Sequence, residues 1–222
     1  MINSVKDLLR KLKLLPLFIF IYKRIINFFG FFLFKNLARQ KRILIEFGSG
    51  NKKGKNGWTT VDLFGSDINY DITRGIPLSD NSVDKIYSSH LLEHLSFDQI
   101  NRLLGECYRI LKINGEFSVC VPNSRLYIEA YINNEYFNTE STLLFSPAII
   151  ETGSKIDQVN YIAYMNGEHK YLWDQENLIN SLGMAGFKNA KLRDYDENLD
   201  LFERHFESIY AVAYKLAEER DG

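Results

Sequence analysis

The stretch ILIEFGSGNKKGKNGWTTVDL, Ile43–Leu63, limits the fold of this 222-residue chain more than any other. It begins with an apolar run, Ile43–Phe47, continues through a glycine turn at Gly48–Gly50, and ends a second apolar run at Asp62. In parallel α/β proteins, such a turn between two strands lies at the carboxyl edge of the sheet, where ligands bind. The stretch therefore predicts a ligand site beside Asp62.

The interval between the glycine turn and Asp62 is too short for a dinucleotide-binding fold. That fold holds a pyrophosphate at the N-terminus of a helix, and it needs a third glycine and an acid ~20 residues farther on. Here only residues 51–61 separate Gly50 from Asp62, and Lys53 occupies the position of the third glycine. A nicotinamide or flavin site, and with it a nicotinamide-dependent oxidoreductase, is therefore disfavoured.

S-Adenosylmethionine carries no phosphate, so a glycine turn without a following helix suits this cofactor. A flat turn at Gly48 and Gly50 lets the backbone approach the amino-acid tail closely. Glu46 supplies negative charge before the turn, and Asp62 can accept hydrogen bonds from both ribose hydroxyls. Asp71, at the end of the third predicted strand, is placed to accept the adenine amino group.

From residue 43 onward, strands and helices alternate, which is typical of a mostly parallel α/β sheet. A capping box at Ser96 and Gln99 predicts the start of a helix that ends at Asn114–Gly115. Further helices are predicted over Asn123–Asn133 and Gln175–Met184. The predicted strands are Ile43–Phe47, Thr59–Leu63, Ile68–Asp71, Lys85–Ser89, Phe117–Val121, Ala190–Tyr195 and Ser208–Lys215.

Four motifs follow one another between Ile43 and Pro122: EFGSGN, VDL, DITRGIPLSDNSVDKIYSSHLLEHL and RILKINGEFSVCVPN. In this order they resemble the motifs of class I S-adenosylmethionine-dependent methyltransferases of the type 11 kind. The resemblance implies a Rossmann-like fold with a mostly parallel seven-stranded sheet, in which the first helix is shortened or missing. It also implies cofactor contacts at Gly48, Gly50, Asp62 and Asp71, and a methyl-donor pocket lined by Ser88 and Ser89.

Charge divides the chain into a basic extension, residues 1–42, and an acidic methyltransferase domain, residues 43–222. The extension contains ten Lys/Arg and one acid, a charge of +9, which leaves −10 for the rest of a chain whose net charge is −1. Within residues 43–222, the segment from about 134 to 173 is rich in Tyr, Phe and Asn without a clear period. It predicts a cap, inserted after the fifth strand and folded over the acceptor side.

The basic extension is also strongly apolar. Lys23 and Arg24 separate two apolar runs, Leu14–Tyr22 and Ile25–Phe34, which are singly too short to span a bilayer. We expect one or two helices lying on anionic lipid through residues 1–40, with the protein cytoplasmic and peripheral at the inner face of the membrane. The alternative is a helical arm packed on the body of the protein or on a second subunit, as in a homodimer.

Methylation of a hydroxyl is helped by a general base. His90 directly follows the fourth predicted strand, and His169 lies in the predicted cap, so these two are the candidate catalytic residues, with Glu168 third. The alternative for His90 is a structural role in packing the next helix.

The segment HLLEH, His90 to His94, matches the H-x-x-E-H motif of a class of zinc peptidases. It follows a sheet strand within a cofactor-binding pattern, however, and a zinc site needs a third ligand as well as two histidines on one face. No metal site is therefore predicted, and Glu93 and His94 are expected to form a hydrogen-bonded local anchor.

The substrate is expected to be small. An acidic body without a basic stripe disfavours nucleic acid as a partner. A basic, Phe-rich extension suggests a substrate at the membrane, and the resemblance then implies O-methylation of a small sugar or cell-envelope glycan precursor. The alternatives are a small metabolite, a lipid head group, or a catalytically silent cofactor-binding module that regulates a partner.

Overall fold

The computed structural model describes residues 13–137 and 152–217, and these contain a seven-stranded sheet with the strand order β3-β2-β1-β4-β5-β7-β6. The neighbours from β3 to β5 are parallel, whereas β7 is antiparallel to both β5 and β6. The mostly parallel seven-stranded sheet predicted from the sequence is thus confirmed. The strands are β1 Leu44–Phe47, β2 Trp58–Asp62, β3 Ile68–Asn69, β4 Val83–Ser89, β5 Leu111–Pro122, β6 Lys188–Leu192 and β7 Ser208–Tyr214.

Five α-helices and several 3-10 turns accompany the sheet in the described residues. The predicted capping box between Ser96 and Gln99 is present at the start of α2, whose apolar stripe faces the core. Cys107 on this stripe and Cys120 on β5 are buried free thiols. The helices are α1 Leu15–Leu37, α2 Phe97–Ile110, α3 Ser124–Ile132, α4 Ile156–Tyr164 and α5 Gln175–Met184.

The end of α2 differs from the prediction. The helix ends at Ile110 instead of continuing to Asn114–Gly115, because the backbone N–H of Asn81 donates to the Arg109 carbonyl and Leu111 is already extended. The predicted stop signal instead forms an irregularity in β5, where the register with β4 shifts. The loop before β4 thus satisfies the last carbonyls of the helix.

The connection between β1 and β2 contains no helix, as the sequence predicts; residues 48–57 are all described and form turns. The Asp67 carboxylate closes this connection by accepting hydrogen bonds from the backbone N–H of Gly54 at 2.8 Å and of Thr60 at 3.1 Å. This end of the connection is therefore closed by a side chain rather than by a helix.

Part of the predicted cap, residues 138–151, lies outside the described residues. The described part contains α4, a helix that the sequence pattern did not reveal, and α4 packs against α3. Tyr127 of α3 and Tyr161 of α4 meet in this interface with ring centroids 6.1 Å apart.

The N-terminal helix α1 packs one face against the β3 edge of the sheet. Its buried residues, Ile26, Gly30, Phe34 and Leu37, recur at three- and four-residue spacing and form one stripe. The Phe34 ring meets the Tyr70 ring edge-on, with centroids 5.2 Å apart. The contact of this face with β3 agrees with the alternative prediction, in which the extension is a helical arm packed on the body of the protein.

Polar contacts fasten the same helix to the loops after β2 and β3. Lys23 Nζ lies 2.9 Å from Asp71 Oδ2, and the Asn27 side-chain oxygen accepts the Asp71 backbone N–H at 2.8 Å. The Tyr22 hydroxyl donates to the Leu63 carbonyl at 2.8 Å. Helix α1 therefore reaches the residue that follows Asp62.

Large apolar side chains are exposed all round the first turns of α1 and, farther along the helix, on the side away from the buried stripe. By length and composition alone the helix could cross a membrane, with a mean hydropathy of 1.8, but buried core helices and signal sequences meet the same criteria. The two apolar runs of the sequence, Leu14–Tyr22 and Ile25–Phe34, lie almost entirely in this one continuous helix. Its exposed apolar residues are Leu17, Phe18, Ile19, Phe20, Ile21, Ile25, Phe28, Phe29, Phe31, Phe32 and Leu33.

Replacing Gly30 by alanine should destabilise the protein, because the new Cβ would lie 2.7 Å from the Asn69 carbonyl oxygen. Overpacking of this kind costs about 1–3 kcal/mol, so we expect Gly30→Ala to lower the free energy of unfolding by about 1 kcal/mol after the gain in helix propensity. Chemical denaturation measures this change.

The matched control is Gly105→Ala in α2, where the new Cβ would have no non-neighbouring atom within 4 Å. This variant should raise the free energy of unfolding by about 1 kcal/mol through helix propensity. Equal stabilisation of both variants would contradict the docking of α1 on β3.

Candidate functional site

A cavity of about 390 Å³ opens at the carboxyl ends of β1, β2 and β4. The strand order reverses between β1 and β4, and open α/β sheets bind ligands at such a point. We call this space the first cavity. Of the predicted site residues, it brings together Glu46, Gly48, Gly50, Asp62, Ser89 and His90.

The glycine turn is shaped by backbone conformations that glycine favours. Gly48 has φ +77° and Gly50 has φ +61°. At Gly48 a side chain is also excluded by space, because a Cβ would lie 2.6 Å from the Leu91 Cβ. The backbone of the turn is therefore bare toward the first cavity.

Asp62 joins the end of β2 to the glycine turn. Its Oδ2 accepts the Gly50 backbone N–H at 2.8 Å, and its Oδ1 accepts the Leu63 N–H at 2.5 Å. A carboxylate has about four acceptor sites, so each oxygen keeps one for a ligand in the cavity. Asp62 is thus oriented to accept two further hydrogen bonds.

Glu46 and Lys52 form an ion pair at the wall of the first cavity, with Lys52 Nζ 2.8 Å from Glu46 Oε1. Glu46 is buried, whereas Lys52 is partly exposed. The sequence analysis identified the acid but not its basic partner, since no motif marks a lysine in this loop. Together the pair presents both signs of charge, which is complementary to a zwitterion.

Ser49 adds an unsatisfied group to the same wall. Its Oγ is buried and has no hydrogen-bond partner among the residues that the structure describes, although it belongs to the lining of the first cavity. Buried polar atoms are normally paired. The turn, the zwitterionic pair, the oriented Asp62 and this hydroxyl fit the tail and ribose of S-adenosylmethionine.

Three predicted site residues lie outside the lining of the first cavity: Asp71, Ser88 and His169. Asp71 is buried beneath α1, and although burial opposes ionisation, hydrogen bonds from Thr73 and Lys23 lower its pKa. Ser88 is buried in β4. The structure therefore does not place Asp71 or Ser88 beside the other predicted cofactor contacts.

His90 belongs to the walls of two adjacent cavities. Its Nε2 lies 2.9 Å from Ser208 Oγ, and this hydroxyl donates to the Arg204 carbonyl at 2.6 Å. Ser208 Oγ therefore accepts from Nε2–H, which leaves the lone pair on Nδ1, 3.5 Å from Glu93 Oε1. Burial lowers the pKa of His90 well below its ordinary value, so the ring is neutral at pH 7.

The second cavity, of about 190 Å³, lies between the loop after β4 and the described part of the cap. His169 is 5% exposed on its wall, and burial lowers the pKa of this imidazole. Glu168, the third predicted base candidate, lines the same cavity. His90 and His169, far apart in sequence, thus share one space.

Glu93 and His94 join the loop after β4 to the cap. The Glu93 carbonyl accepts the backbone N–H of Lys170 at 2.8 Å, and His94 Nδ1 lies 3.1 Å from the Glu168 carbonyl oxygen. The Glu93 side chain is 1% exposed, and burial raises the pKa of its carboxyl to about 8. These contacts anchor the cap rather than the following helix.

The segment before β7 supplies residues that no sequence motif indicated. Leu199, Leu201 and Arg204 complete the wall of the first cavity. Behind them the buried Asp200 carboxylate accepts the Tyr87 hydroxyl at 2.8 Å and pairs with Arg193. The only sequence signal was a run of acidic and apolar residues between two predicted strands.

A family model described as "Methyltransferase domain" matches residues 51–119. A search among curated proteins gave no match. Among solved structures, a SAM-dependent methyltransferase from Archaeoglobus fulgidus is 16% identical, with a TM-score of 0.50 and coverage of 82% of this chain and 90% of that one.

Two further solved structures are similar. A possible histamine N-methyltransferase from Thermotoga maritima is 15% identical, with a TM-score of 0.48 and coverage of 95% of this chain and 99% of that one. The second is phosphoethanolamine N-methyltransferase 2 from Haemonchus contortus, in complex with phosphomonomethylethanolamine and S-adenosylhomocysteine. It is 11% identical, with a TM-score of 0.46 and coverage of 85% of this chain and 53% of that one.

The archaeal structure shows a shared fold, and the matched family model spans the loop after the glycine turn, Asp62, the HLLEH segment and α2. The strand order and the position of the first cavity agree with this match. Residues 51–119 thus match a methyltransferase domain, and the chain has the Rossmann-like fold of class I S-adenosylmethionine-dependent methyltransferases.

Proposed function

We propose that this methyltransferase O-methylates a small sugar, a precursor of a cell-envelope glycan, at the cytoplasmic surface of the membrane. The observation that carries the proposal is the position of His90 between the two cavities. The first cavity would hold the cofactor and the second the acceptor, so that the methyl group crosses the boundary at His90.

Within the first cavity each polar group has a task toward the cofactor. Asp62 would accept the ribose hydroxyls, Glu46 and Lys52 would pair with the ammonium and carboxylate of the tail, and Gly50 would let the backbone come close. Ser89 would line the methyl-donor end. Asp71 and Ser88 would support the site from behind, Asp71 by fixing α1 through Lys23.

Methyl transfer to a hydroxyl requires alignment and the removal of one proton. Bound S-adenosylmethionine would supply a methyl carbon on a sulfonium. The O–C bond would form as the S–C bond breaks with its electron pair going to sulfur, and a residue of this chain would take up the hydroxyl proton. His90 Nδ1 is our first proton acceptor, and His169 Nε2 our second. Because burial disfavours imidazolium, we place the contribution of His90 near the lower end of general-base effects, about 10²-fold.

The charge of the second cavity favours a neutral polyol as acceptor. Its walls carry three carboxyl groups, Glu93, Glu168 and Glu207, and one guanidinium, Arg204. Carboxylates and imidazoles accept hydrogen bonds from sugar hydroxyls. A phosphorylated lipid head group would find one guanidinium beside three carboxyl groups among the described residues there, so we rank it, with other small metabolites, below a sugar.

The exposed face of α1 supports contact with a lipid surface. It presents contiguous Phe, Ile and Leu side chains, and such exposed apolar patches are a liability in water. Lys23 and Arg24 lie within the helix and Lys35 in its last turn, where they can reach anionic head groups. The contact of Tyr22 with Leu63 would place the first cavity near that surface.

Asp62→Ala should weaken the binding of S-adenosylhomocysteine about 10- to 100-fold, because each hydrogen bond to a charged group is worth about 1.5–3 kcal/mol. Isothermal titration calorimetry measures the dissociation constant. Asp98→Ala, which removes an exposed carboxylate on α2 outside both cavities, is the control and should bind as the wild type does. Wild-type protein that does not bind this compound would refute the cofactor assignment.

His90→Asn should lower the rate of methyl transfer about 10²-fold while leaving S-adenosylhomocysteine binding within a few-fold of wild type. Asparagine tolerates the positive φ of 49° at this position. The assay follows radiolabelled methyl groups into a panel of nucleotide sugars and methyl glycosides.

His205→Asn is the matched control, since His205 lies outside the walls of both cavities. An unchanged rate in His90→Asn would remove His90 from proton transfer. Cofactor binding without transfer to any sugar would favour another acceptor class or a silent regulatory module.

Phe29→Ser should weaken sedimentation with anionic vesicles about tenfold, because burying a Phe side chain is worth about 1.5–3 kcal/mol. Phe29 is 62% exposed on α1 and Phe202 is 72% exposed outside it, so Phe202→Ser is the matched control. We expect binding to phosphatidylserine vesicles at low salt that salt weakens. Equal effects of the two substitutions, or no vesicle binding by the wild type, would contradict the membrane contact.

A further inference from the structure

Three potential metal ligands meet in the second cavity. Glu93 and His94 come from the 3-10 turn after β4, and His169 comes from the cap. One ligand atom from each lies within 4.8 Å of the other two. The rings of His94 and His169 meet edge-on with centroids 5.0 Å apart.

Both histidines have their second ring nitrogen committed to the backbone. His169 Nδ1 lies 2.7 Å from the Ile162 carbonyl oxygen, and His94 Nδ1 lies 3.1 Å from the Glu168 carbonyl oxygen. A carbonyl only accepts hydrogen bonds, so Nδ1 carries the proton in each neutral ring and Nε2 carries the lone pair. Metal-binding histidines are oriented by such a hydrogen bond on the other ring nitrogen.

The Glu93 carboxyl group provides an independent sign of a missing partner. Its side chain is 1% exposed, and its Oε2 has no hydrogen-bond partner within residues 13–137 and 152–217. An unpaired buried carboxyl oxygen costs free energy. A cation beside Glu93 would satisfy it.

The charges that face this cluster also favour a cation. Glu168 and Glu207 line the same cavity, and the Tyr127 hydroxyl donates a hydrogen bond to Glu207. Among the groups that the described residues bring to this wall, Arg204 carries the one guanidinium, against the three carboxyl groups of Glu93, Glu168 and Glu207.

We propose that Glu93, His94 and His169 bind a divalent transition metal ion, with zinc as the first candidate. Two imidazoles and one carboxylate form a known set of catalytic zinc ligands, which leaves further positions open to water or substrate. Ligand atoms around tetrahedral zinc are about 3.3 Å apart, given bonds of about 2.0–2.1 Å. These ligand atoms lie within 4.8 Å of one another, so they must approach one another by at most about 1.5 Å.

This set differs from the H-x-x-E-H motif that the sequence contains. His90, the first histidine of the motif, is bonded through Nε2 to Ser208 and stands outside the three-ligand cluster. Its place is taken by His169, which the cap brings in from a distant part of the chain. The motif therefore contains two of the proposed ligands, Glu93 and His94, but not the third, His169.

A metal ion here would have two effects. It would tie the cap, which contains His169, to the 3-10 turn after β4, which contains Glu93 and His94. It would also offer an open coordination position to an acceptor hydroxyl, which lowers the pKa of that hydroxyl. This second effect rests on the proposed function, whereas metal binding itself does not.

Zinc titration of the full chain, stripped with chelator, tests the site by calorimetry at pH 7. We expect one zinc ion per chain, and at least tenfold weaker binding in His94→Gln and in His169→Gln. Substitution with Co²⁺ should give a visible absorption band in the wild type that both variants lose. His205→Gln, a histidine outside the cluster, is the control and should leave binding and absorption unchanged.

Glu93→Gln should also weaken zinc binding at least tenfold, and thermal unfolding tells this loss apart from misfolding. His94 is partly exposed, so His94→Gln tests the site even where a variant of the buried Glu93 does not fold. Absence of stoichiometric zinc and cobalt binding by the wild type overturns the proposal. Unchanged binding in both histidine variants overturns it as well.

S-Adenosylhomocysteine binding is measured on the same preparation, which separates the two proposals. Zinc binding by a chain that does not bind this compound supports the metal site and overturns only its role in methyl transfer. Cofactor binding by a chain that takes up no metal overturns the metal site and leaves the methyltransferase function standing.

Discussion

The hydrogen bond between the Gly50 backbone N–H and the Asp62 carboxylate, 2.8 Å long, is the contact on which the cofactor site depends. In related nucleotide-binding folds, a helix after the glycine turn fixes the turn relative to the next strand. This chain lacks that helix, and residues 48–57 form turns only. Asp62 therefore positions the turn, and in the proposed site it would also present acceptor sites to the ribose. The Asp67 carboxylate, bonded to Gly54, closes the other end of the same connection.

A second junction links catalysis to the cap. The Glu93 carbonyl and the His94 ring hold the segment around Glu168 to Lys170 against the turn after β4. His90 lies two residues before this junction and lines both cavities. Movement of the cap would therefore alter the boundary between the two cavities. Helix α1 makes a comparable link on the other side, from its exposed apolar surface to Leu63 beside Asp62.

The sequence predicted those features that depend on local order along the chain. The seven strands, the capping box at Ser96 and the missing first helix all follow from short-range patterns. The predicted end of α2 was wrong. Backbone N–H groups of the loop before β4 donate hydrogen bonds to the last carbonyls of the helix, which therefore ends before the Asn114–Gly115 signal. The ion pair between Lys23 and Asp71 and the meeting of Glu93 with His169 join segments that no pattern relates, so only the folded structure reveals them.

We propose that a glycine turn fastened by Asp62 holds S-adenosylmethionine at the carboxyl edge of the sheet. A crystal structure of the full chain with S-adenosylhomocysteine tests this arrangement. We expect both ribose hydroxyls within hydrogen-bond distance of the Asp62 carboxylate, and the amino-acid tail against Gly48–Gly50 and the pair of Glu46 and Lys52. The compound bound elsewhere, with Asp62 bonded only to Gly50 and Leu63, would contradict it.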